Sequence, residues 1–223
     1  MIVFWIIAPE VGRGLFFLAV VILVGWFAAG MFWNVRKGNA VARWLQEGLP
    51  LLGEKTTLRW LGSSGLEMKI QSPHSPLLNA EVFILLEPRD IPLLWGYFHA
   101  RGRRDVLIVR CQSSATPQFQ LEAFDPHAWS ARNAQLEAVR KQWSSVAVPQ
   151  GLKVAACGEG ALERAQAILA LVAESHLPLV RLAVRRSAPQ IEIQWQLLRY
   201  GDASSRALFE TLLQINSRLS LRP

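Results

Sequence analysis

The sequence has few of the residues that build most catalytic and metal centres. Of 223 residues only two are cysteines, Cys111 and Cys157, and four are histidines. The cysteines sit in separate apolar stretches with no Cys-x-x-Cys spacing, so neither a disulfide framework nor a thiolate metal cage is implied. The histidines His74, His99, His127 and His176 stand apart from one another, which excludes the usual histidine-rich metal clusters. Charge is also sparse. Charged residues make up 18% of the chain against 51% hydrophobic residues, and that balance excludes a disordered polymer. There is no low-complexity tract and no long linker. Basic residues outnumber acidic ones 24 to 17, a net charge of +7.

The most informative absence lies between Gly14 and Val35. The run GLFFLAVVILVGWFAAGMFWNV carries no charge, and twelve of its positions are Leu, Ile, Phe or Val. As a helix it would extend about 33 Å, slightly more than a bilayer hydrocarbon core. Each large apolar residue favours insertion by roughly 0.3–0.6 kcal/mol, so insertion is favoured by several kcal/mol. A buried core helix of this length would show a polar face. A cleaved signal peptide would show a shorter apolar region, a basic leader and a small-residue cleavage site. An uncleaved signal anchor fits better. Arg13 alone precedes the run, whereas Arg36, Lys37 and Arg43 follow it. The positive-inside bias therefore places the N-terminus outside or in a lumen and the rest of the chain in the cytoplasm. Trp33, Arg36 and Lys37 are expected at the inner membrane interface. The apolar first eight residues are too few to cross, and read as an interfacial stub anchored by Trp5.

These features divide the chain into residues 1–13 (a short extracytoplasmic or interfacial N-terminus), 14–35 (transmembrane helix), 36–55 (juxtamembrane helix and linker) and 56–223 (soluble domain). Asn39 to Glu47 reads as a short helix stopped by Gly48 and Pro50. Thr56–Leu61 and Leu66–Gln71 read as a hairpin around Gly62-Ser63-Ser64-Gly65. Glu81–Leu86 reads as a buried strand, and Asp90 as the cap of a helix reaching Ala100. Asp105–Gln112, Gln118–Phe124, Leu152–Cys157, Leu179–Arg185 and Ile191–Leu197 follow as strands. Ser130–Trp143, Ala161–Ser175 and Ala203–Leu219 follow as helices. The fold class is α+β. From Glu81 the first six elements have the ferredoxin-like βαββαβ order. The last five would repeat β-α-β-β-α, as a duplicated module.

No constellation of side chains amounts to a catalytic centre, and no cofactor or metal is expected. Gly158-Glu159-Gly160 follows a strand and opens a helix, but it lacks a third glycine and puts a carboxylate where a phosphate would lie, so it reads as a tight turn. Cys111 and Cys157 read as small buried hydrophobes. Basic residues carry more information. Arg101, Arg103 and Arg104 form one loop cluster, and Arg185 and Arg186 another. Either could meet phosphates, in lipid headgroups or in RNA. The aromatics are not interleaved with these arginines as in an RNA-recognition motif, so anionic lipid is the simpler partner, and DNA is not expected. Among the tryptophans, Trp44 and Trp60 could rest on headgroups or pack under the domain. Trp95, Trp129, Trp143 and Trp195 read as core or helix-face residues.

The layout resembles the calumin family, coiled-coil-domain membrane proteins of the endoplasmic reticulum. Three stretches carry the resemblance: Asn39–Gly53 (NAVARWLQEGLPLLG), similar to a post-membrane helix; Leu85–Trp95 (LLEPRDIPLLW), similar to a Leu-rich strand leading into a helix; and Val148–Ala156 (VPQGLKVAA), similar to a further strand. The chain departs from that family in lacking an acidic luminal segment and a charged C-terminal coiled coil. The resemblance implies a non-enzymatic interaction protein that assists insertion or folding of membrane proteins, with translocon or insertase components or the ribosome as partners. The missing coiled coil weighs against ribosome contact. The other expectation is a structural subunit that assembles through self-association of its α+β domain into a homo-oligomer.

Overall fold

The computed structural model describes residues 9–129, 136, 140, 143–147, 151–158 and 160–220. A single helix, α1, runs from Pro9 to Leu45. The expected break between a membrane helix and a separate juxtamembrane helix is absent. No proline interrupts Val35–Leu45, and Gly38 fits because the Trp60 indole lies on its bare Cα, where a Cβ would come within 2.5 Å of the ring. Residues 36–55 are accordingly not a linker. Val41, Ala42, Leu45, Leu49 and Leu52 are all core residues. The helix ends before Gly48, whose missing side chain leaves room for Phe209 and the Ser205 carbonyl, and a 3-10 turn at Leu49–Leu51 leads into the sheet.

Nine strands follow: β1 (Gly53–Leu61), β2 (Gly65–Pro73), β3 (Leu77–Leu85), β4 (Val106–Ser113), β5 (Gln120–Phe124), β6 (Ser144–Ala147), β7 (Lys153–Cys157), β8 (Leu179–Val184) and β9 (Ile191–Gln196). The helices whose bounds lie among the described residues after α1 are α2 (Pro92–Ala100), α3 (Ala161–Ala173) and α4 (Ser205–Ser220). The strands form one sheet in the order β1-β2-β3-β4-β9-β8-β5-β7-β6, with antiparallel neighbours throughout. The architecture is α+β.

A ferredoxin-like strand order is present, but elsewhere than expected. Strands β5, β6, β7 and β8 lie in the order β8-β5-β7-β6, the fourth, first, third and second of the series. That is the strand arrangement of a βαββαβ unit, with α3 as its second crossover. The unit starts at β5, not at Glu81, because β3 and β4 pair directly as neighbours. The expected helix at Ser130–Trp143 lies mostly outside the described residues. The terminal apolar stub, the calumin-like stretch at residues 148–150 and Glu159 also lie outside them.

Register explains the two faces. One cross-sheet row takes a residue from every strand: Leu58, Met68, Val82, Val109, Ile193, Leu182, Ala123, Val154 and Val146. From β2 to β7 this face forms the core with the end of α1, with Ala165, Ile168, Leu169 and Val172 of α3, and with Leu208, Phe209, Leu212 and Ile215 of α4. Trp195 is fully buried there. Trp44 and Trp60 pack against the same cluster, and Trp44 donates to the Ala203 carbonyl. Trp129, expected in a core or on a packed helix face, is exposed instead. The neighbouring row, one residue along each strand, reads Thr57, Lys69, Glu81, Arg110, Glu192, Ala183, Glu122, Ala155 and Ser145. Because side chains alternate between faces, this polar row is the other side of the sheet.

Candidate functional site: a charged latch and an arginine-lined cleft

The first site is where α1 meets the domain. Side chains from Gly12 to Ala29 are exposed, and burial begins at Gly30. Gly30, Asn34 and Gly38, spaced by four, line up along one helix face and are all buried. At Gly30 an added Cβ would stand 2.3 Å from the Arg89 carbonyl oxygen, so the backbones of α1 and the Glu87–Asp90 loop are in direct apposition.

Polar groups close the junction. Asn34 Nδ2 donates to the Glu87 carbonyl at 3.0 Å. The Arg89 guanidinium grips Asp105 with two hydrogen bonds, at 3.0 and 2.9 Å, and also donates to Asn34 Oδ1. Lys37 Nζ donates to Asp105 Oδ2 at 2.5 Å, and the Glu87 backbone N–H donates to Asp105 Oδ1 at 2.7 Å. Glu87 Oε2 accepts from Trp95 Nε1 at 2.6 Å and lies 3.0 Å from His99 Nδ1. Trp26 Nε1 donates to the Arg89 carbonyl.

Asp105 is the hub of this latch. Burial alone pushes its carboxyl pKa up. Hydrogen bonds from Arg89 and Lys37, the charge of Arg89 and the Glu87 N–H outweigh burial and hold it below the ordinary carboxylate value. Asp90, expected to cap α2, accepts instead from Ser63 Oγ at 2.6 Å. Ile91 occupies the cap position without a side-chain bond. Of the three expected interface residues, Trp33 and Arg36 are exposed, whereas Lys37 is drawn into the latch.

The second site is a cleft of about 520 Å³ on the polar face of the sheet. Arg103, Arg104, Arg110, Arg181 and Arg185 line it, together with Asp125, His127, Trp129, Glu192 and Gln194. The structure thus brings three of the five sequence-picked arginines, Arg103, Arg104 and Arg185, to one cavity. Arg101 stacks over the Tyr97 ring and Arg186 donates to the Gln118 carbonyl; neither lines the cleft. Arg110, Arg181, Glu122 and Glu192 were not singled out from the sequence.

Across the cleft floor the charges alternate. Arg110 Nε donates to Glu192 at 2.9 Å, Arg181 pairs with Glu122 and reaches Glu192, and Arg185 lies 3.6 Å from Glu122. Burial pushes the Glu192 carboxyl pKa up, but Gln194, Arg110 and Arg181 outweigh burial and hold it below the ordinary carboxylate value. A carboxylate held in that form is a poor general acid and a good structural anchor for arginines. The cleft can therefore present guanidinium groups in fixed positions to an anionic or amide-rich surface.

The remaining sequence candidates resolve simply. Gly158 and Gly160 both hold left-handed φ, +125° and +60°, which accounts for glycine at each end of that turn. Cys111 is buried and its thiol is pushed up to about 12, whereas Cys157, expected to be buried, is exposed. Among the described residues no group of three His, Cys, Asp or Glu side chains could hold a metal ion. Compared with family models and with curated proteins, the chain finds no match.

Proposed function

We propose that this chain is a single-pass, membrane-anchored interaction protein with no reaction of its own, its N-terminus outside or luminal and its α+β domain cytoplasmic. The observation that carries this reading is α1. Its Gly12–Leu45 part is long and apolar enough to cross a membrane, and its most apolar stretch is unburied. The same helix continues without a break into the domain core. The basic residues after the apolar run support the orientation.

The latch supports a scaffold role, because it fixes the domain's pose on its anchor. The cleft supports an interaction role. Arg103 and Arg104 lie at its α2 end, so it opens close to the membrane surface, where a nascent or partly inserted membrane protein would be met. Assistance to membrane-protein insertion or folding, with translocon or insertase components as partners, is the specific form that the resemblance to the calumin family suggests.

Self-assembly is a second reading, favoured by the sheet edge. β1 is nine residues long and has β2 as its one neighbour among the described residues, and Leu58 and Leu61 on it are exposed. Photo-crosslinking in intact membranes from a probe at His127 separates the two. Recovery of translocon or insertase proteins is expected; self-crosslinks alone would replace this reading with assembly. Protection of the domain by sealed cytoplasm-out vesicles would overturn the orientation.

A further inference from the structure

We propose that α2 and the Pro88–Ile91 loop before it are submerged in the lipid of the cytoplasmic leaflet, making a second membrane contact beside the span; this rests on the anchor reading above. The argument begins from an overlap along α1. Exposed apolar side chains continue from Leu15 through Phe32 and Trp33 to Val35. The domain touches the same helix from Trp26 onward, through the Trp26 bond to the Arg89 carbonyl and the Trp26–Trp95 ring contact at 6.3 Å. Trp26 to Val35 rises about 14 Å, nearly the depth of one leaflet's hydrocarbon. One side of this stretch faces lipid, and the other side faces α2. Whatever meets α1 at Trp26 shares its depth.

The composition of α2 agrees. Its sequence, PLLWGYFHA, contains no buried residue and no Asp, Glu, Lys or Arg. Leu93 is 88% exposed, and Ile91, Leu94 and Tyr97 are also exposed. A short helix with no core contact and this many bare apolar groups is poorly suited to water and well suited to an acyl boundary. Between α1 and α2 runs an almost wholly apolar groove of about 250 Å³, lined by Trp26, Ala29, Gly30, Trp33, Arg89 and Trp95. Its continuity with the exposed span names lipid as the occupant.

Charge complementarity sets the depth. The chain leaves α2 through Arg101, Arg103 and Arg104, none of which pairs with a carboxylate among the described residues. Arg101 lies over Tyr97 at 4.3 Å and Arg103 over Phe98 at 4.9 Å. Cations held on aromatic faces at the end of an apolar helix match the phosphate level of an anionic leaflet.

Site-directed spin labelling of the full chain in bilayers of phosphatidylcholine and phosphatidylglycerol tests this. In a Cys157→Ser background, with Cys111 left buried, labels are placed one at a time by Leu93→Cys, Val21→Cys and Lys55→Cys. The Leu93 label is expected to resemble Val21, more accessible to oxygen than to a water-soluble nickel chelate, with Lys55 showing the reverse. If Val21 is embedded and Leu93 behaves like Lys55, the inference is overturned and the anchor stands. If Leu93 is shielded from both reagents, protein and not lipid covers α2, which also overturns it. If Val21 itself behaves like Lys55, the anchor reading fails first. Arg101→Gln, Arg103→Gln and Arg104→Gln together should move the Leu93 label toward water in anionic bilayers; an unmoved label would overturn the phosphate contact.

Discussion

Replacing Asp105 by alanine should loosen the domain from its anchor more than any other single change in the latch. The carboxylate is 4% exposed and holds Arg89, Lys37 and the Glu87 N–H together. Removing one partner of a buried ion pair costs about 3–5 kcal/mol, largely because the opposite charge is left stranded. Here one of the stranded cations, Lys37 beyond the apolar run, is 28% exposed and keeps some access to water. Solvent therefore offsets part of the loss, and the low end, about 3 kcal/mol, is the expectation. Asp105→Asn keeps an acceptor for the Glu87 N–H and for one Arg89 bond, so roughly half that loss is expected. The assay is urea unfolding of the detergent-solubilised full chain, followed by tryptophan fluorescence, since Trp26 and Trp95 meet at the latch. The pH dependence has a defined sign. Asp105 has a lower pKa folded than unfolded, where the ordinary value is 3.8. Its contribution is complete above that value and is lost as pH falls through the lower folded one. An alanine variant within about 0.5 kcal/mol of wild type, the usual range for surface changes, would refute the latch.

Gly30→Leu should separate α1 from the Glu87–Asp90 loop, because its first side-chain atom would already collide with the Arg89 carbonyl. A loss of about 1–3 kcal/mol in the same unfolding assay is expected, despite the better helix propensity of leucine. Val21→Arg, near the middle of the exposed run, should impair insertion by at least about 2.5 kcal/mol, read as loss of carbonate-resistant membrane fractionation. Maleimide at neutral pH should label Cys157 and spare Cys111 until denaturant is added, since the latter is buried with its thiol pushed up to about 12. Phe209→Ala, at a fully buried position of α4, should cost about 3–5 kcal/mol in urea unfolding.

Much of the element content was legible in the sequence, because alternation and helical spacing are local signals. β4, β5, β7, β8, β9, α3 and α4 fall within a few residues of their expected bounds. The order of strands was not legible. Ser144–Ala147 is a four-residue strand without apolar alternation, so β6 was missed, and the βαββαβ frame was started at β3 instead of β5. The unbroken α1 was not legible because Arg36 and Lys37 close the apolar run, and only the packing of Trp60 on Gly38 and of Val41 and Leu45 in the core carries the helix past them. The latch draws on residues from α1, the loop after β3, α2 and the residue before β4, so no local pattern contains it. A charged Glu-Pro-Arg-Asp run directly after a buried strand was its one visible trace. The cleft was half visible: loop arginines stood out, whereas Arg110 and Arg181 alternate with apolar neighbours and read as an ordinary wet strand face.

The unbroken α1 also turns the molecule into a lever. Nine strands at about 4.8 Å spacing make a sheet about 38 Å wide. With the helix rooted in the core and clamped at Asp105, the sheet has no hinge at the membrane surface. In a bilayer, a change of thickness that tilts the helix by about 10° would swing the far edge of the sheet by about 7 Å. The domain would then register the thickness of its membrane as a displacement, the way a needle registers a small rotation at its pivot.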